Sequence, residues 1–134
     1  MRNPIGVAAL LLALHGPVAF ACGFCMEDKI AVTYDHQVLE EAQRRGYSVA
    51  YAEITGAAAG NPETAADVQR LISRVNGVIG ASVRVSVAPP AVSFAWDSTQ
   101  HDLNGIVERL NRQLAARQLQ LSLLRRWDPK TGMK

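Results

Sequence analysis

Between Tyr47 and Trp127 the apolar residues switch between two periods in a set order, and this restricts the fold more than any other feature of the chain. Tyr47 to Ile54 is rich in Tyr, Val and Ile and stops at Thr55-Gly56, which predicts a strand. Val68, Leu71, Ile72 and Val75 then recur at helical spacing, with Asn61 or Thr64 as the expected cap and Asn76-Gly77 as the expected end. Ala81 to Val87 alternates: Val83, Val85 and Val87 fall on one side, Ser82, Arg84 and Ser86 on the other. Pro89-Pro90 breaks that strand, and Val92, Phe94 and Trp96 alternate in the next. Asp97-Ser98-Thr99 offers helix-starting residues, followed by a stripe of Leu103, Ile106, Val107, Leu110 and Leu114. Leu119, Leu121 and Leu123 alternate in a last strand.

Six elements in the order βαββαβ predict an α+β fold with a ferredoxin-like sandwich, in which helices pack on one face of an antiparallel sheet. The one-sided alternation of the second and fourth strands predicts that the other face is wet. Ahead of this unit, Glu27 to Arg45 reads as one additional N-terminal helix. Ile30, Tyr34, Val38 and Ala42 recur every four residues, with Ala31 and Leu39 beside them. Glu27 and Asp28 in the first turn and Arg44 and Arg45 in the last suit the helix dipole, and Gly46 is the expected stop.

The opening residues carry the three parts of a secretory signal peptide. Arg2 supplies the positive region, Ile5 to Leu14 an apolar stretch too short to span a bilayer, and Ala19-Phe20-Ala21 the small-x-small cleavage pattern. The expected organisation is a signal over 1–21, a Cys-x-x-Cys arm and helix over 22–46, the βαββαβ domain over 47–127 and a disordered tail over 128–134. Trp127 onward reads as frayed. The implied location is periplasmic or secreted. A membrane anchor enters only if Cys22 is lipidated, and Ala19 and Phe20 replace the aliphatic-then-small residues that usually precede a lipidated cysteine.

Cleavage removes Arg2 alone from the 14 basic residues, which stand against 12 acidic ones. A charge this close to neutral gives no support to a nucleic-acid partner. No phosphate loop, nucleophile–base pair or clustered carboxylates point to catalysis, so the chain reads as a non-enzyme.

The candidate chemistry lies in Cys22-Gly23-Phe24-Cys25, which holds both cysteines of the chain. A bond between them would close a tiny loop and stabilise little, so a purely structural role explains the pair poorly. Two thiolates at this spacing reach one soft ion. Cu(I) is the favoured cofactor and Zn(II) the weaker candidate, since one pair is half of a four-ligand zinc site. Met26 adds a thioether nearby, and a partner protein or second protomer could complete the site. His36 would lie about 16 Å from Cys25 along a continuous helix, too far to share the ion. The runner-up is a non-metal interaction module. Third is thiol–disulfide exchange, supported by the helix N-terminus and by Lys29 one turn on, and opposed by Glu27 and Asp28.

Residues 47–126 also resemble the heavy-metal-associated domain. Val75-Asn76-Gly77-Val78 matches that family's Gly-Val step, Val83, Val85 and Val87 its second strand, and Val92-Ser93-Phe94-Ala95-Trp96-Asp97 its third. The resemblance implies the ferredoxin-like fold. It implies no metal ligands here, because the family's Cys-x-x-Cys loop corresponds to Gly56–Glu63, which contains no cysteine.

Overall fold

The computed structural model describes residues 25–134, so the signal expected over 1–21 and Cys22 lie outside the described residues. Two short helices come first, α1 (Met26–Ala31) and α2 (His36–Arg45). The single helix expected over Glu27–Arg45 is therefore broken, and the residues between explain why. The Thr33 hydroxyl lies 3.3 Å from the carbonyls of both Lys29 and Ile30, closing α1. Asp35 is extended and its carboxylate accepts from Gln37 N (2.9 Å) and Val38 N (3.3 Å), starting α2 afresh. A short acidic side chain that caps this well favours a helix start over a helix interior.

The rest of the chain runs β1 (Ser48–Thr55), α3 (Pro62–Ser73), β2 (Arg84–Val87), β3 (Pro90–Trp96), α4 (Leu103–Leu114), β4 (Gln120–Asp128) and β5 (Gly132–Met133). Asn61 caps α3 through Glu63 N with Pro62 behind it, and α3 closes at Ser73, before the expected Asn76-Gly77. Asp102, rather than Asp97 to Thr99, caps α4. The five strands form one antiparallel sheet in the order β2-β3-β1-β4-β5, so the fold is α+β as expected.

Helices α3 and α4 cover one face. Val68, Ile72, Ile106, Leu110 and Leu114 pack there on Ala50, Ile54, Val92, Phe94, Trp96 and Leu121. Each large side chain so buried contributes about 1.5–3 kcal/mol. The second face is not wet, contrary to expectation. Val49, Tyr51 and Ala95 project onto it and are buried under Ala42, with Ile30, Val38, Leu39 and Trp127 packed around them. Both faces of β1 are thus apolar, and the apolar stripe of the N-terminal helices finds its partner in the second.

Polar contacts fix those helices in place. Lys29 on α1 pairs with Glu53 on β1, Arg125 Nη2 lies 3.4 Å from Glu27 Oε1, and Arg84 Nε donates to Asp35 at 2.8 Å.

The tail expected to fray is a hairpin instead. Trp127 pairs with Met133, Asp128 with Gly132, and Arg126 and Lys134 exchange backbone hydrogen bonds of 3.1 and 2.8 Å. Gly132 has φ +76°, and Asp128 Oδ1 accepts from Lys130 N at 2.8 Å, which together tighten the turn.

A β-bulge lies within β4: Ala52 faces Leu123, but Tyr51 faces Arg125, leaving Leu124 as the extra residue. The bulge inverts the alternation beyond it. Leu121 and Leu123 lie on the α3–α4 side, whereas Arg125 and Trp127, opposite Tyr51 and Val49, turn to the α1–α2 side.

Candidate functional site

Cys25 is the residue just before α1, in extended conformation and exposed to solvent. Cys22, its predicted companion ligand, lies outside the described residues. The Cys25 backbone N–H donates to Asp28 Oδ2 at 3.2 Å, and its thiol lies 3.2 Å from the same oxygen. The spacing is that of a capping box, with an acid three residues after the N-terminal flanking position, so this contact was legible in Cys25-Met26-Glu27-Asp28. Met26 is 39% exposed, leaving its thioether within reach of solvent species.

The other side chains considered with this pair go elsewhere. Lys29 turns away from the thiol to Glu53. His36 opens α2, is 71% exposed, and its Nε2 lies 3.0 Å from Glu40 Oε1. It therefore belongs to a different helix from the one that Cys25 precedes. Among the described residues no group of three or more His, Cys, Asp or Glu is gathered to hold an ion. What α1 does provide is a fixed base: its ion pairs to β1 and β4 set the point from which the Cys-x-x-Cys arm departs.

A second feature is not signalled by the sequence. A cleft of about 610 Å³ opens between the loop entering α4 and the free side of β4. Trp96 and Leu103 line it from the core, with Leu123, Arg126 and Lys134 along the strand side and His101 on the loop side. His101 is held against Gly77, where a Cβ would meet its ring at 2.7 Å with φ already +98°. Asp97 stabilises the same loop. Its Oδ1 accepts from the Thr99 hydroxyl (2.6 Å) and from Thr99 N (3.0 Å), and these bonds, the hydroxyl first, hold its carboxyl below the usual value. The bulge at Leu124 creates the strand side of this cleft, and alternation alone does not announce a bulge.

Compared with known proteins, the chain matches no family model, no curated protein and no solved structure.

Proposed function

We propose that this is an exported, non-catalytic protein that binds a soft metal ion, with Cu(I) the favoured ion, through Cys22 and Cys25. The body would act as a ferredoxin-like platform for the arm. The observation that carries this reading is the place of Cys25. Its thiol is exposed where the chain enters the folded body, on a helix tied to the sheet by Lys29–Glu53 and Glu27–Arg125. A two-thiolate Cu(I) site needs only two sulfurs three residues apart, both accessible to an incoming ion and to a partner that later removes it. The strand order β2-β3-β1-β4 within the βαββαβ core supports the ferredoxin-like assignment.

Between metal binding and thiol exchange, the surroundings of Cys25 favour the former. Reactive exchange cysteines sit in electropositive settings. Here the nearest charge is the Asp28 carboxylate, and Lys29, the cation that would have helped, is engaged by Glu53. A bound metal ion needs no such help, because it displaces the thiol proton outright.

The test is an anaerobic Cu(I) titration of the reduced protein lacking residues 1–21 against a competing chromophoric chelator, beside the Cys22→Ser/Cys25→Ser variant. Tight binding near one ion per chain or per dimer, lost in the variant, is expected. Failure to compete, or equal binding by the variant, sinks the metal reading and leaves an interaction module as the better account. Sustained insulin reduction would instead favour thiol exchange.

A further inference from the structure

We infer that the cleft between β4 and the α4 entry loop binds a small organic molecule bearing an oxyanion, a carboxylate or a phosphate. The inference does not rest on the metal reading. It begins with the β4–β5 hairpin. Arg126 and Lys134 exchange both backbone hydrogen bonds, so they are a directly opposed antiparallel pair. Opposed residues project to the same face of the sheet with Cβ atoms about 5 Å apart, and like charges in that position destabilise the pairing. Arg126 is in register with Ala50, whose side chain belongs to the α3–α4 core, so this face is the one that bears the cleft. Arg126 and Lys134 both line the cleft.

No acid lies within ion-pair distance of the two cations among the described residues, although Asp128 feels the charge of Lys134. The neighbouring acid, Asp128, is engaged by Lys130 N at 2.8 Å and by the Ser48 hydroxyl at 3.5 Å. Asp102, the acid of the cleft itself, is turned to Gly105 N at 3.0 Å, capping α4. By contrast Arg125, one residue earlier and opposite Tyr51, has Glu27, although it too borders the cleft. The bulge at Leu124 is what sends Arg126 to the cleft side.

The rest of the cleft suits an apolar body attached to that anion. Leu123 is 41% exposed even though it lies in the column of β4 that faces the α3–α4 core. Trp96 is 2% exposed and its Nε1 is a buried donor with no acceptor. Unsatisfied buried donors are few in folded proteins, and this one belongs to a ring that lines the cleft, so its resonance reports on what enters there. The volume, about 610 Å³, lies within the usual range for small-molecule sites.

The experiment titrates the protein lacking residues 1–21, uniformly labelled with nitrogen-15, with benzoate, phenyl phosphate and uncharged benzamide. The indole Nε1–H resonance of Trp96 is followed, with Trp127→Phe identifying it. A saturable shift with at least one anion, with Kd on the order of 1 mM or tighter, is expected, and little response to benzamide. Whichever anion binds more tightly identifies the headgroup. The Arg126→Gln/Lys134→Gln variant should lose about tenfold or more in affinity, as the loss of a charge-assisted hydrogen bond implies. Its ligand-free thermal midpoint should not fall, since a repulsion has been removed. Arg126→Lys/Lys134→Arg should retain binding, as should Cys22→Ser/Cys25→Ser. No saturable shift, equal binding of benzamide, or full affinity in the double Gln variant overturns the proposal.

Discussion

The Ser93 hydroxyl donates to the Thr33 carbonyl at 2.7 Å, a buried hydrogen bond between the interior strand β3 and the junction of α1 and α2. Both residues are 2% exposed. The bond satisfies a carbonyl freed where the helix breaks, and it pins the break to the sheet. Ser93→Ala leaves that carbonyl buried without a partner, so a loss of about 1–3 kcal/mol is expected. Urea unfolding checks the magnitude, and amide hydrogen exchange should show α1 losing protection before the sheet does. An unchanged midpoint with unchanged exchange would mean that the junction is held by apolar packing alone.

Asp35 ties the same junction to β2. Its carboxyl is held below the usual carboxylate range chiefly by the hydrogen bond from Arg84, at 2.8 Å, with smaller help from the N–H groups of Val38 and Gln37. A carboxyl with a lowered folded-state value contributes stability that is full above its unfolded value, about 3.9, and fades as pH falls through the folded one. Unfolding free energy measured from pH 6 down to pH 2 should therefore decline more steeply in the parent than in Asp35→Asn. Parallel curves would show that Asp35 contributes nothing to acid sensitivity.

The helix break illustrates what was legible in the sequence and what was not. The βαββαβ order, the cap at Asn61 and the α4 stripe are readable because each depends on neighbours a few residues away, whereas the α4 cap falls at Asp102, past the expected Asp97 to Thr99. The break at Thr33–Asp35 was signalled too, by β-branched residues followed by Asp, but the every-four recurrence of Ile30, Tyr34, Val38 and Ala42 outweighed it. Burial of the second face was not legible, since Val49, Tyr51 and Ala95 come from two strands and their cover from the N-terminal helices. The bulge at Leu124 left no local mark, and with it went the turn of Trp127 into the α1–α2 cluster and of Arg126 to the cleft. For the candidate site, the Asp28 contact to Cys25 followed from their spacing. The engagement of Lys29 by Glu53 did not, because that pair is distant in sequence.

Tyr51 gives a prediction at alkaline pH. It is 1% exposed between the sheet and the N-terminal helices. Burial first, then the negative groups of Tyr34 and Asp35, pushes its phenol up to about 12. Because the folded value is raised, the stabilisation is complete below the unfolded value, about 10, and is lost as pH rises through the folded one. Absorbance at 295 nm should show one of the 3 tyrosines ionising late, with loss of native circular dichroism in the same interval. Tyr51→Phe should abolish the late step and keep the fold to higher pH. If the late step persists in Tyr51→Phe, the assignment is wrong.

The last prediction concerns the outer side of β4. Asn111 on α4 treats Leu121 as a neighbouring strand would: its Oδ1 accepts from Leu121 N at 2.8 Å and its Nδ2 donates to Leu121 O at 3.0 Å. In an antiparallel ladder one residue presents both backbone groups to the same side, so Leu121 faces away from β1 and its open edge is closed by a side chain. The Arg126–Lys134 exchange closes the edge again further along. Exposed strand edges recruit other chains, and proteins cover them. Asn111→Ala should cost about 1–2 kcal/mol for two bonds that water can partly replace, and should also raise concentration-dependent association. Asn111→Asp keeps the bond to Leu121 N but sets a carboxylate against the Leu121 carbonyl, so it should destabilise at least as much while its added charge limits association. Chemical denaturation and sedimentation velocity on the three proteins separate the effects. Equal stability with no change in association would reduce the Asn111 contact to a surface accident, whereas association without destabilisation would make edge protection its main role.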